Sequence, residues 1–390
     1  MAIHAQAILD ALQTVLPADK GPYPLSEPRF AGNEWEYVKE CIDTGWVSSV
    51  GKYVDRFEQD IAQYTGASFA VATVNGTAAL HISLMLAGVE ADDEVMVPAL
   101  SFVATTNAVS YCGALPHFVD SDRQRFGVDA DSLADYLADI AVIKDGHCIN
   151  KQTGRIIRAL VVMHAFGHPA DLDALTELCQ RYHLQLVEDA AEALGSFYKG
   201  RHVGHHGLIG ALSFNGNKII TTGGGGAIIT DDAQLARHAK HLTTTAKLAH
   251  AWRFDHDEVG YNYRMPNLNA ALGCAQLMQL PQLLFARREL TEIYQRALDP
   301  VAGVKVVTEP EDSKSNYWLH NLLLDIDDSD QRDEILQGCH EANILARPVW
   351  TLQNKLPMYQ GAPCMPLAHA PQLAINLISL PSSAGIGGRG

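Results

Sequence analysis

From Ser68 onward the chain alternates short apolar runs with stretches whose apolar residues recur every three to four positions. The runs Phe69–Thr73, Glu94–Val97, Leu115–Val119, Ala159–Met163, Leu184–Val187, Ala211–Phe214 and Ala227–Thr230 read as strands. Ala78–Ala87, Thr105–Tyr111, Leu133–Ile140 and Leu172–Tyr182 read as helices, preceded by another over Glu34–Asp43. Strands apolar on both faces, alternating with helices, predict an α/β fold with a mainly parallel seven-stranded sheet covered on each side. Ligands of such sheets sit beyond the carboxyl ends of the strands. The polar segment Lys144–Arg158, with turn signals Asp145-Gly146 and Thr153-Gly154, predicts a surface hairpin.

At the two ends the pattern changes. Residues 1–25 are weakly patterned and hold Pro17, Pro22 and Pro24, which reads as an arm before a large domain over 26–285. After Leu283, a helix over Arg287–Leu298, a strand-like Trp318–Ile326, a helix over Arg332–Ala342 and a proline-rich end predict a smaller α+β domain over 286–390.

Composition narrows the classes. The 390 residues are 47% hydrophobic, enough for a large core. No apolar run reaches the roughly 18 residues of a membrane span, and the N-terminus lacks the order of a signal peptide, so a cytoplasmic protein is expected. A net charge of −16 without a basic run argues against nucleic acid. Seven dispersed cysteines, never spaced CxxC, predict reduced thiols.

Three strand ends carry candidate chemistry. Val74-Asn75-Gly76-Thr77 turns from a strand into a helix, and the amides there with the Thr77 hydroxyl would hold a phosphate, although Asn-Gly-Thr is also an ordinary helix cap. Leu186-Val187-Glu188-Asp189 ends a buried strand in carboxylates. Asp189 there could keep a ring nitrogen protonated, or could simply cap a helix with Glu192 at its third position. Ser213-Phe214-Asn215-Gly216-Asn217-Lys218, followed by Gly223 to Gly226, holds one lysine in a short loop. A lysine that attacks a carbonyl must sit on fixed backbone, partly desolvated, so that a neutral fraction exists near pH 7. Taken alone the stretch also reads as a solvated lysine beside a glycine turn. A phosphate site, a ring-nitrogen carboxylate and a Schiff-base lysine in that order are the parts of a pyridoxal 5'-phosphate site.

Those stretches, with Gly45-Trp46-Val47-Ser48-Ser49, Glu188-Asp189-Ala190-Ala191-Glu192-Ala193-Leu194-Gly195 and Gly260-Tyr261-Asn262-Tyr263-Arg264-Met265, resemble the DegT/DnrJ/EryC1/StrS sugar-nucleotide aminotransferases from about Leu25 to Ser383. The resemblance implies an aspartate-aminotransferase-like fold, pyridoxal 5'-phosphate, and a homodimer with shared active sites. It also implies that Lys218 attaches the cofactor and Asp189 pairs with its ring nitrogen. Phe102 is implied to stack on the ring, and Glu192 to lie near the ring hydroxyl, where the family often has Gln. Gly76, Thr77 and Ser213 are implied to touch the phosphate, as is Asn262 from the neighbouring subunit. Gly224 stands where many relatives have Glu. Leu25–Phe30 and the 144–158 hairpin resemble the branch that makes 4-amino sugars for nonulosonic acids. Amino transfer from glutamate to UDP-2-acetamido-2,6-dideoxy-hexos-4-ulose is therefore expected.

Other residues remain candidates. Trp46 and Ser49 lie in a loop that either borders the site or packs Trp46 into the core. Arg29, Lys247, Arg264 and Arg347 are cations available to a diphosphate. His164, at a strand end, could enter the crevice but reads better as a satisfied buried histidine, beside His168. The spacing of His202, His205 and His206 reads as a surface turn, and no metal is expected. A sugar dehydratase of the same family is disfavoured because those enzymes replace the lysine by histidine. A catalytically silent binding protein of the same fold is the alternative from another class.

Overall fold

The computed structural model describes residues 5–386. Its centre is a seven-stranded sheet built from β1 (Phe69–Thr73), β2 (Glu94–Pro98), β3 (Leu115–Val119), β4 (Ile157–Met163), β5 (Gln185–Asp189), β6 (Ile209–Ser213) and β7 (Gly226–Thr230). The strand order is β1-β7-β6-β5-β4-β2-β3. All neighbours pair parallel except β7, which runs antiparallel to both β1 and β6. Every strand read from the apolar runs is present, with ends shifted by at most two residues.

Both faces of the sheet are buried, which is why the strands read as continuous apolar runs. Val95, Val97, Val161 and Val187 pack into the core on one side. Met96, Leu160, Val162 and Leu186, the alternating positions, pack into the core on the other. The hairpin expected over Lys144–Arg158 lies earlier, Ala141–Lys144 paired with His147–Asn150, and the end of that segment enters β4. Asp145 and Gly146 both have positive φ, 52° and 81°, as a two-residue primed turn requires. Buried Glu94 ties the hairpin to the sheet, accepting from Asn150 Nδ2 at 2.9 Å and Thr153 Oγ1 at 2.5 Å.

A four-stranded antiparallel sheet containing Val304–Val306, His320–Leu324, Arg347–Pro348 and Leu377–Leu380 builds the C-terminal part. The long helix before it spans Leu280–Leu298, seven residues earlier than the pattern suggested, because Pro281 suits the first turn of a helix. The strand expected from Trp318 begins instead at His320. Tyr317 has φ 48°, and the Trp318 N–H is taken by Asn316 Oδ1 at 2.8 Å, so the chain turns there rather than pairing.

Where the sequence suggested an arm, Ala5–Val15 is a helix. Ile8, Leu12 and Leu16 are fully buried against Leu290, Tyr294, Leu322 and Ile335. Its apolar positions 8, 12 and 16 form one stripe at helical spacing, a signal the prolines after it obscured. Leu12→Ala is expected to cost about 3 kcal/mol of unfolding free energy, read as a shift of the urea midpoint. An unshifted midpoint would mean that the helix is not part of this core. Four more α-helices, Lys52–Thr65, Ala233–Thr243, Asn267–Leu277 and Ala370–Asn376, go beyond the elements read from the pattern. Among the described residues no helix is long and apolar enough to cross a membrane.

Candidate active site

A cavity of about 380 Å³ opens at the carboxyl ends of β4, β5 and β6. It is lined by Gly76, Thr77, Phe102, Asp189, Glu192, Ser213 and Lys218, seven of the residues singled out in the sequence.

The turn after β1 supplies an anion cradle. Asn75 caps the helix Gly76–Leu86, its side chain accepting from Ala78 N at 2.8 Å. The N–H groups of Gly76 and Thr77 are the first in the helix and have no acceptor within it, which leaves them for an anion. A side chain at position 76 would meet Ser213 Cβ at 2.8 Å, and one at position 226 would meet the Asn75 carbonyl carbon at 2.5 Å. Glycine at 76 and 226 thus lets β6, β7 and the turn close up behind the cradle. Gly224 meets nothing but the Val74 oxygen at 4.0 Å, so the departure from the family's Glu leaves this packing intact.

Asp189 closes β5 and is 5% exposed. Its Oδ2 accepts from Thr105 Oγ1 at 2.7 Å and its Oδ1 from Ala191 N at 3.1 Å. Both are donors to a carboxylate, and they aim it into the cavity. Phe102, at the N-terminus of the helix Val103–Tyr111, is half exposed on the cavity wall, free to cover a flat ring.

Lys218 lies in the loop between β6 and β7. Its Nζ is 3.4 Å from Glu192 Oε1 and 3.7 Å from the centre of the Trp318 ring. Glu192 also accepts from Phe166 N at 2.8 Å through Oε2. Burial pushes the Glu192 carboxyl up to about 7, and nearby Asp189 adds to the rise, while Lys218 and the Phe166 N–H pull it down.

Several wall residues escaped the sequence reading: Trp318, Phe166, Trp350 and Asn217. Trp318 Nε1 donates to Asn217 O at 2.8 Å, one residue before the lysine, and so fixes the ring beside Nζ. Trp318 was hidden inside an apparent strand, and its isolated indole next to a polar Asn-Tyr pair was the available signal. Phe166 and Trp350 stack with centroids 4.7 Å apart and planes 9° apart.

Of the four candidate cations only Arg347 lines the cavity, exposed at its mouth. Arg29 lines a separate cavity with Met278, Gln279 and Phe285. Lys247 lies 3.7 Å over the Phe254 ring, and Arg264 bridges to Thr73 beside β1. Trp46 is 58% exposed, so it does not pack into the core, and neither it nor Ser49 lines the cavity. The Trp46 and Ser48 carbonyls are held by Asn267 at 2.7 and 2.6 Å. Asn262 is exposed and outside the cavity of its own chain.

His164 is a satisfied buried histidine. Its Nδ1 accepts from Ala170 N at 3.2 Å, so the proton sits on Nε2, which donates to Glu188 at 3.0 Å. His168 is fully buried, and burial pushes its ring down to about 4, leaving it neutral at pH 7. The surface turn expected at His202, His205 and His206 is corrected: His202 and His205 are buried. His202 Nε2 accepts from Gly195 N at 2.8 Å, and His205 bonds Asp231 at 3.1 Å and Thr65 O at 3.2 Å. All seven cysteines are free.

The fold and this constellation define a pyridoxal-phosphate-dependent enzyme of the aminotransferase class. The family model of the DegT/DnrJ/EryC1/StrS aminotransferases matches residues 28–389, and the chain belongs to that family. It is 36% identical over 336 residues to the GDP-perosamine synthase of Escherichia coli O157:H7, covering 86% of each chain. It is 35% identical to EpsN of Bacillus subtilis, whose name describes a pyridoxal phosphate-dependent aminotransferase, over 87% of this chain and 84% of that one. Among solved structures, the aminotransferase TlmJ from Streptoalloteichus hindustanus superposes with a TM-score of 0.82 at 29% identity, covering 92% and 93% of the two chains. Helicobacter pylori PseC, an aminotransferase of pseudoaminic acid biosynthesis, gives 0.83 at 25% identity over 93% and 94%. The chain is a sugar aminotransferase.

Proposed function

We propose that the chain moves an amino group from glutamate to C4 of a nucleotide-linked 4-keto-6-deoxy sugar, UDP-2-acetamido-2,6-dideoxy-hexos-4-ulose being the first candidate. The observation that carries the reading is the meeting of Lys218, Asp189 and the Gly76–Thr77 helix start around one cavity. Pyridoxal phosphate would supply the carbonyl that takes up the amino group and a ring that withdraws electrons.

Gly76 N, Thr77 and Ser213 would hold the phosphate, and Asp189, anchored by Thr105, would pair with the protonated ring nitrogen. Phe102 would cover one ring face. Lys218 would serve as the covalent anchor and, once released, as the base and acid that moves a proton at the reacting carbon. The apolar wall of Leu25, Trp318, Leu319, Val349 and Trp350 suits a deoxygenated sugar carbon better than a hydroxymethyl group, because a hydroxyl there would lose its hydrogen bonds to water. Asn262 and the exposed Trp46–Ser49 loop would serve the site of a second copy, in a homodimer whose contact includes exposed Trp35, Ile42 and Val50.

The relatives named for GDP-perosamine make the nucleotide an open choice, so the test is a panel of UDP- and GDP-linked keto-sugars with glutamate, the aminated carbon being read by NMR. Absence of amination across the panel would end the proposal. Arg347 at the mouth suits the diphosphate. Arg347→Ala is expected to raise KM for the sugar nucleotide about tenfold while kcat stays nearly constant, the loss of one charge-assisted contact. An unchanged KM would remove Arg347 from substrate binding.

A further inference from the structure

Glu192 is a buried carboxyl, 4% exposed, whose two oxygens have separate partners. Oε2 is occupied by the Phe166 N–H at 2.8 Å, and Oε1 faces the Lys218 amine at 3.4 Å. The loop that brings the Phe166 N–H there is built at some conformational cost. Phe166 has φ 59° and ψ 9°, a left-handed conformation that a bulky residue rarely adopts. Gly167 follows at φ 97°, and a side chain on it would lie 1.8 Å from Asn316 Oδ1. Stacking of Phe166 on Trp350 and packing against Phe126 hold the residue in that state. On the other side, Asn316 Nδ2 donates to the Glu192 carbonyl at 2.9 Å, and Trp318 covers the lysine. One oxygen is thereby locked in place, and the other is left with the lysine as its sole ionic partner among the described residues.

We infer that Glu192 is a catalytic proton acceptor for Lys218, taking the proton that the ammonium must lose before its nitrogen can attack a carbonyl carbon. The N–H bond of Lys218 breaks and an O–H bond forms on Oε1. The nitrogen would then be free to bond the cofactor's carbonyl carbon, and the proton held on Oε1, with a second N–H proton of Lys218, would leave with the carbonyl oxygen as water, the C=N bond replacing the C=O bond. A free lysine, with a pKa of about 10.4, is neutral in fewer than about one molecule in a thousand at pH 7. Transfer inside the cavity removes the need to lose that proton to bulk water. The inference rests on the proposed role of Lys218 as the cofactor's anchor.

The groups facing Glu192 are consistent with this assignment. From its own turn Asp189 adds a second negative charge, which favours the protonated carboxyl, and from the β6–β7 loop Lys218 opposes it. On the 164–168 loop His164 is taken up by Glu188, and His168, packed on Phe126 and Tyr317, is kept neutral by burial. On the 315–320 loop the titratable groups are engaged elsewhere: the Tyr317 hydroxyl accepts from Glu309 N at 3.2 Å, and buried Arg287 donates to the Trp318 carbonyl at 2.6 Å. Burial is the largest of these effects, and together they leave the Glu192 carboxyl at about 7, within reach of a proton at neutral pH.

The experiment is the rate at which cofactor-free protein captures pyridoxal phosphate, followed by absorbance from pH 7 to 9 in wild type and in Glu192→Gln. Glutamine keeps an oxygen for the Phe166 N–H but accepts no proton. Internal transfer gives the wild type an added route that does not depend on hydroxide, whereas the variant captures the cofactor only through loss of the lysine proton to solvent, a route both proteins share and that rises with pH. The ratio of wild-type to variant rate, in which the cofactor's own ionisations cancel, is therefore expected to exceed one near pH 7 and to fall toward one by pH 9 as the shared route takes over. A ratio constant with pH would mean a purely electrostatic partner and would overturn the inference. Glu192→Ala is the second arm: acetate is expected to speed capture at pH 7 and acetamide to leave it unchanged, and equal effects of the two would also overturn it. Failure of the wild type to form any lysine adduct would instead defeat the anchor role of Lys218 itself.

Discussion

Lys218→Ala is expected to lower turnover by about 10⁴-fold or more, because one side chain would supply both the covalent anchor and the proton carrier of the reaction. The cavity should survive the change. Trp318 remains tied to the carbonyl of Asn217, and the Glu192 carboxyl keeps the Phe166 N–H. What disappears is the amine 3.4 Å from Glu192, and with it the absorbance that a lysine-bound cofactor would give. Lys218→Arg is the control that separates charge from nucleophilicity: a guanidinium keeps the positive charge but stays protonated, so it too should be inactive. Turnover within tenfold of wild type in either variant, measured with glutamate and a keto-sugar nucleotide, would remove Lys218 from the chemistry.

Asp189→Asn is expected to cost about 10²- to 10³-fold in kcat. A carboxylate beside a ring nitrogen raises the nitrogen's pKa by the Coulomb term, commonly about 1–3 units, and an amide of the same shape does not. The change also disturbs a buried pair, since Thr105 Oγ1 donates to Asp189 at 2.7 Å and the asparagine amide would turn one donor toward another. Two measurements tell these effects apart. Loss of ring protonation lowers kcat and alters the cofactor's spectrum while binding persists; a packing defect lowers cofactor affinity and leaves the spectrum of the bound form unaltered. A kcat within threefold of wild type would show that Asp189 is no partner of the ring.

Much of the fold was legible because its decisive features are local. Seven strands buried on both faces appear as apolar runs whatever surrounds them, and Leu115–Val119 and Leu172–Tyr182 come out with the boundaries read from the pattern. The helix Asn267–Leu277 did not announce itself: it is rich in alanine and buried on most sides, so no polar face marks a period. The N-terminal helix had a clear stripe but no visible destination, because the surface it covers lies nearly 300 residues away in the chain.

The same division runs through the site. By itself the sequence determined the order of three strand ends, each carrying one chemical group: the Gly76–Thr77 turn, Asp189 and Lys218. A parallel sheet must bring such ends to one edge, since its strands share a direction. Only the tertiary structure decided what stands beside them. Trp318 sits on Lys218 because Tyr317 turns left-handed and Asn217 accepts the indole N–H. Arg347, rather than Arg29, Lys247 or Arg264, reaches the cavity because its strand belongs to the small sheet that closes over the mouth. Glu192 was visible as a carboxylate, but its desolvation, its pairing with Lys218 and its hydrogen bond from a strained Phe166 arise from segments far apart in the chain. Burial and through-space contact between such segments leave no local pattern to read.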